Sequence, residues 1–141
     1  MEVQPIDILL IEDNPGDIEL VRAAFEEARA YNHLTVINDG QEAVEFFEKG
    51  EAAPDLILLD INLPKVNGFE VLQKIRATQK GKNFPVVILS SSEIELDINR
   101  SYSQYTDHFI TKPVDFDKFI AVVKSIGKFW LSVVKLPEKK E

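Results

Sequence analysis

The chain has 141 residues, 24 acids against 16 bases for a formal net charge of −8, and no cysteine. That length suits one domain with a full hydrophobic core. The charge leaves no basic stripe for nucleic acid or an anionic membrane surface, and the lack of cysteine removes disulfides, thiolate zinc sites and a cysteine nucleophile. No basic stretch leads into an apolar one at the N-terminus, so no secretory signal is expected. No apolar run reaches the length of a membrane span, and a cytoplasmic location follows as the expectation.

Ile6–Ile11 reads as a first strand, nearly all apolar, and ends in the turn cluster Glu12-Asp13-Asn14-Pro15-Gly16-Asp17. Ile18, Val21, Ala24, Phe25 and Ala28 recur at three- and four-residue spacing and predict a helix over about Ile18–Ala30. Leu34–Ile37 is a short second strand, closed by the turn signal Asn38-Asp39-Gly40; Gln41–Lys49 is an amphipathic helix stopped by Gly50. Leu56–Leu59 is an apolar run without alternation, as a strand buried on both faces requires. Asp60 ends it, before a loop with Pro64, Asn67 and Gly68. A helix over Phe69 to about Thr78 and a polar loop at Lys80–Asn83 follow. A buried strand over Phe84–Leu89 then ends in Ser90-Ser91-Ser92. The span from Glu93 to about Tyr102 predicts a helix with few apolar positions, His108–Thr111 a fifth strand ending in Lys112-Pro113, and Asp115 to about Val134 the last helix. Strands alternating with helices imply βαβ units, a parallel sheet and right-handed crossovers.

In open α/β sheets, sites form outside the carboxyl ends of the strands. Those ends carry Glu12 and Asp13, then Asp60, Ser90 and Lys112. Alone, Asp60 reads equally well as a turn cap, and Glu12 and Asp13 as helix-capping acids. Together they put three acids, a hydroxyl and a lysine at one edge. Carboxylates packed together repel unless a cation holds them, and hard oxygen ligands suit Mg²⁺. A lysine and a hydroxyl beside such a cation suit the oxygens of a phosphoryl group, which a carboxylate can itself accept as an acyl phosphate. His33 and His108 read as surface or packing residues with nothing pairing them.

These residues resemble the receiver domain of two-component response regulators. The resemblance rests on Glu12-Asp13, on Asp60 with Leu63-Pro64 and Gly68 after it, on Ser90 and on Lys112-Pro113, in that order over nearly the whole chain. It implies an α/β, flavodoxin-like, doubly wound parallel sheet of five strands in the order 2-1-3-4-5, with five helices. It implies that Asp60 is the phosphoacceptor, and that Glu12, Asp13, Asp60 and the backbone carbonyl of Asn62 hold Mg²⁺, for which Mn²⁺ can substitute. Lys112 would pair with the phosphoryl group, Ser90 would hydrogen-bond it, and Ser91 would tune its lifetime. Phe109 would be the switch aromatic, working by packing because it lacks a hydroxyl. The Lys112–Pro113 peptide is a candidate cis bond. The donor would be a sensor histidine kinase. The ending Phe129-Trp130-Leu131 with Leu136-Pro137, and the block Phe109–Pro113, look like the small regulators that serve cyanobacterial-type phytochrome kinases; related stand-alone receivers serve other hybrid kinases. A single receiver unit over 1–141 is then expected, with a core over about 6–127, a helical extension over about 128–136 and a frayed tail. It would be a phosphoacceptor rather than an enzyme.

On the last helix, Phe116, Phe119, Ile120, Val123, Gly127, Trp130, Leu131 and Val134 share a face expected to pack on the sheet. Val122, Ile126, Phe129 and Val133 widen the apolar arc to the order of 200°, more than one core-facing stripe needs. A homodimer through these residues is expected, against the alternative of an extension folding on its own domain. Three other functions compete. A phosphatase of the haloacid-dehalogenase type needs a second acid two residues after its nucleophile, where Asn62 stands. A nucleotide binder needs a glycine-rich loop where Glu12-Asp13 stands. A phosphate-independent interaction module predicts loss of a site residue, and none is lost.

Overall fold

The computed structural model describes residues 5–28, 32–50, 54–78, 81–90, 108–111, 116–121 and 124, with backbone alone for 90 and 108–111. Five strands form one sheet: β1 (Ile6–Ile11), β2 (Asn32–Ile37), β3 (Leu56–Asp60), β4 (Val86–Ser90) and β5 (His108–Thr111). Every neighbouring pair is parallel and the order is β2-β1-β3-β4-β5. The helices are α1 (Pro15–Glu27), α2 (Gly40–Glu48) and α3 (Gly68–Ala77), with helical backbone again at 116–121 and 124. The helix predicted over Glu93–Tyr102 lies outside the described residues.

Side-chain alternation sends successive strand residues to opposite faces. Leu9, Ile11, Ile57, Leu59, Val86 and Ile88 meet α2 and α3 on one face. Ile8, Leu10, Leu56, Leu58, Val87 and Leu89 meet α1 and Phe119 on the other. The central strands therefore carry apolar residues on both faces, and all five residues of β3, Asp60 included, are buried. Each fully buried aliphatic side chain contributes about 1.5–3 kcal/mol, so β3 is firmly held.

Several boundaries differ from the sequence reading, for local chemical reasons. α1 starts three residues before Ile18, because Asn14 caps it and Pro15 occupies its first turn, where a missing N–H costs nothing. Asp39 and Asn67 cap α2 and α3 in the same way, so both start one residue early, on Gly40 and Gly68. β2 reaches back to Asn32, and β4 spans Val86–Ser90 rather than Phe84–Leu89. The expected polar loop before β4 holds a 3₁₀ turn at Gly81–Asn83, where Arg76 donates to the Gly81 and Phe84 carbonyls. Phe116 is exposed rather than packed on the sheet, whereas Phe119 is buried. His33 is not unpaired: its Nδ1 lies 3.6 Å from the Asp7 carboxylate, with both side chains open to solvent.

Candidate phosphoryl and metal site

The first half of the site follows β1. Glu12 N donates to Ile37 O (2.9 Å), carrying the β1–β2 ladder one step past the last strand residue. The Glu12 carbonyl accepts from Asn38 Nδ2 (3.4 Å), and its side-chain Oε2 accepts from Asn14 N (3.2 Å). The cap of α1 is Asn14 Oδ1, which accepts from Asp17 N at 3.0 Å. Neither Glu12 nor Asp13 serves as the helix cap, so capping of α1 does not account for these acids.

The second half is Asp60 and its loop. Asp60 closes β3 and is 2% exposed; Glu12 is fully buried, while Asp13 is open to solvent. Asn62 N donates to Asp60 Oδ1 at 3.1 Å and fixes the carboxylate's orientation. The Ile61 carbonyl accepts from both Leu63 N (3.0 Å) and Gly68 N (2.9 Å), which folds the loop back on itself. Gly68 is required by proximity: a Cβ there would lie 2.5 Å from Asp60 O and 2.6 Å from Ile61 Cα. Lys65 sits at φ 72°, a left-handed conformation unusual for a residue with a Cβ.

Carboxylate oxygens of Glu12, Asp13 and Asp60 all lie within 4.8 Å of one another. Oxygen ligands at about 2.0–2.1 Å from one octahedral ion stand no more than about 4.2 Å apart, so a small adjustment seats a divalent cation among them. The donor set is all oxygen and strongly anionic, which fits Mg²⁺ or Mn²⁺ rather than a thiolate- or imidazole-seeking metal. Two of these acids are buried, and buried carboxylates demand a compensating charge.

The response regulator receiver domain family matches residues 8–124. The chain belongs to this family. The receiver is 37% identical to response regulator Rcp1 of Synechocystis sp. over 138 residues, 94% of each chain. Its fold matches the crystal structure of the phosphorylated cyanobacterial phytochrome response regulator RcpA with a TM-score of 0.77 and 38% identity, covering 93% of this chain and 97% of that one. The Mn²⁺-bound form of Rcp1 matches with a TM-score of 0.75 and 35% identity, over 92% and 97%. Receiver domains are phosphoacceptors that work with sensor histidine kinases and are not classed as enzymes. The fold is flavodoxin-like.

Of the residues singled out in the sequence, the fold brings Glu12, Asp13 and Asp60 together. Asn62 follows directly and is exposed. Ser90 ends β4, next to the carboxyl end of β3, and Phe109 lies in β5; only their backbones are described. Ser91, Lys112, Pro113, Val122, Ile126, Phe129 and Val133 lie outside the described residues. The sequence reading passed over Asn38, Asp39 and Gly40 as a turn. Asp39 Oδ1 accepts from Glu42 N (2.7 Å) and its Oδ2 lies 3.6 Å from Lys65 Nζ. The Glu42 N–H holds the Asp39 carboxyl below its ordinary pKa; partial burial opposes this and Lys65 adds to it. An acid directly before a helix-opening glycine was the available signal. Among the described residues, no helix is long and apolar enough to cross a membrane.

Proposed function

We propose that this receiver is a stand-alone response regulator, cytoplasmic, that takes a phosphoryl group onto Asp60 from a sensor histidine kinase. The observation that carries the proposal is the convergence of Glu12, Asp13 and Asp60 within 4.8 Å at the carboxyl ends of β1 and β3. Glu12, Asp13, Asp60 and the Asn62 carbonyl would hold Mg²⁺ or Mn²⁺. The bound cation supplies charge neutralisation for the phosphoryl oxygens and lets an anionic nucleophile meet an anionic donor.

The chain's own residues do the rest. A carboxylate oxygen of Asp60 attacks phosphorus while the bond from phosphorus to the donor's imidazole nitrogen breaks, and the imidazole leaves with that electron pair. The Asn62 N–H keeps the carboxylate oriented for this in-line exchange. The apolar strand behind Asp60 keeps water from the rear of the site. Lys112 and Ser90 would take the phosphoryl oxygens, with Ser91 tuning water access and so the slow self-dephosphorylation. Phe109 would repack as the loop after β4 shifts, and Lys112–Pro113 is the candidate cis peptide. Output would pass through a homodimer surface at Val122, Ile126, Phe129 and Val133. The similarity to Rcp1 and RcpA supports a phytochrome or related hybrid kinase as donor.

The test is intact mass after incubation with Mg²⁺ and acetyl phosphate. A gain of one phosphoryl group that chelation prevents and Asp60→Asn abolishes is expected. No gain in the wild-type protein would leave a phosphate-independent interaction module; turnover of many phosphate esters would indicate a phosphatase.

A further inference from the structure

The two halves of the site leave the sheet on separate loops. Their backbone ladders end at Glu12 N on one side and at Ile61 N, which donates to Leu89 O, on the other. Beyond those points, each loop is positioned by what it leans on. One short turn touches both. Asn38 Nδ2 donates to the Glu12 carbonyl. Gly40 N donates to Pro64 O (3.2 Å) in the Asp60 loop. Asp39 pairs with Lys65 two residues before Asn67, the cap of α3. The approach at Gly40 is so close that a Cβ would lie 1.8 Å from Val66 O.

Building on the reading of Asp60 as phosphoacceptor, we infer that the Asn38-Asp39-Gly40 turn is a brace that sets the spacing of the two metal-binding loops. Asp39 is its positioning residue. Its carboxylate does two jobs, one oxygen capping α2 and the other holding Lys65. Lys65 in turn sits at the left-handed position of the Asp60 loop. A rigid helix end is thereby tied to the loop that presents Asn62, while Asn38 ties the same turn to Glu12. Oxygen ligands must be placed to about 0.5 Å for tight binding, so loosening the brace weakens cation affinity even though none of its residues touches the ion.

The test separates this from plain electrostatics and from plain folding. Asp39→Asn keeps the cap, since Asn and Asp cap about equally well, but removes the ion pair. Lys65→Gly keeps the left-handed backbone and removes the same pair. Mn²⁺ affinity is measured by titration calorimetry beside each variant's unfolding curve. Removing an anion and removing a cation near the site shift cation affinity in opposite directions by charge alone. The brace predicts that both variants lose affinity, by about two- to five-fold given the partial exposure of the pair. It also predicts that the double variant loses little more than either single one. Lys65→Arg should restore affinity. Changes of opposite sign, or no change, would overturn the brace; a wild-type protein that binds no Mn²⁺ would instead overturn the phosphoacceptor reading.

Discussion

Gly68→Ala is the sharpest probe of how the fold presents Asp60. The added Cβ would sit 2.5 Å from Asp60 O, 2.6 Å from Ile61 Cα and 3.0 Å from the Ile61 side chain. Ordinary contact needs about 3.4 Å or more, so the start of α3 or the end of β3 must move by about 0.9 Å. Neither gives way easily: β3 is buried throughout, and α3 is fixed by Val71, Leu72 and Ile75 in the core. Forcing one methyl into such packing costs about 1–3 kcal/mol. Stretching the Gly68 N to Ile61 O bond adds about 1 kcal/mol. The better helix propensity of alanine returns up to about 1 kcal/mol. The net loss is about 1–4 kcal/mol in urea unfolding, together with slower phosphoryl acceptance, because the Asp60 carbonyl itself is displaced. Gly16→Ala is the milder comparison: its Cβ would meet only Asn14 Oδ1, at 3.2 Å, so the cap side chain need give by only about 0.2 Å, in a helix that favours alanine. If Gly68→Ala unfolds at the wild-type midpoint and is phosphorylated at the wild-type rate, the argument from close approach is wrong.

Asn14→Ala should lower stability by about 1 kcal/mol in urea unfolding through loss of the α1 cap, while Asn14→Asp should not. Leu58→Ala, in the fully buried middle of β3, should cost about 2–5 kcal/mol by the same measurement. The folded-state pKa of Asp39 is depressed, so its carboxylate stabilises the fold above the ordinary aspartate pKa and that contribution is lost as pH falls through the folded value; an acid titration of stability should therefore be shallower for Asp39→Asn. Mg²⁺ at ten times its Kd should raise wild-type stability by about 1.4 kcal/mol and chelation should remove it. Asp60→Asn should be more stable than wild type without metal and gain little from it, as relief of repulsion among the acids requires.

The strands were legible because central parallel strands carry apolar residues on both faces, and Leu56–Leu59 could hardly be anything else. The helix starts were less so. The periodicity of Ile18, Val21 and Ala24 marks the buried stripe of α1, but its first turn is set by Asn14 and Pro15, whose signal is capping rather than hydrophobicity. The acids of the site stand at strand ends and could be collected by position alone. The Asn38-Asp39-Gly40 turn could not, because its contacts run to Glu12, Pro64 and Lys65, and such pairings are decided by tertiary approach. The exposure of Phe116 was hidden for a similar reason: a helical stripe names a face but not where on that face the sheet ends.

Register explains why the acids meet at all. In β1, Ile8 and Leu10 point to the α1 face, and Glu12 continues that parity. In β3, Leu56 and Leu58 point to the same face, and Asp60 continues theirs. The strands pair Ile11 with Leu59, so Glu12 and Asp60 are the next positions across from each other. Both then emerge beside the turn that opens α1, where Asp13 stands. A slip of one residue between β1 and β3 would send one acid to the α2 side and bury it without its partners. The observed register, with Ile11 opposite Leu59 and Asp60 opposite Leu89, is therefore what assembles the site. Leu56, Ile57, Leu58 and Leu59 are buried on both faces and would suit either register; reciprocal bonds between Asp7 and Asp55 at the start of the pair mark the one observed, and that register places the charges.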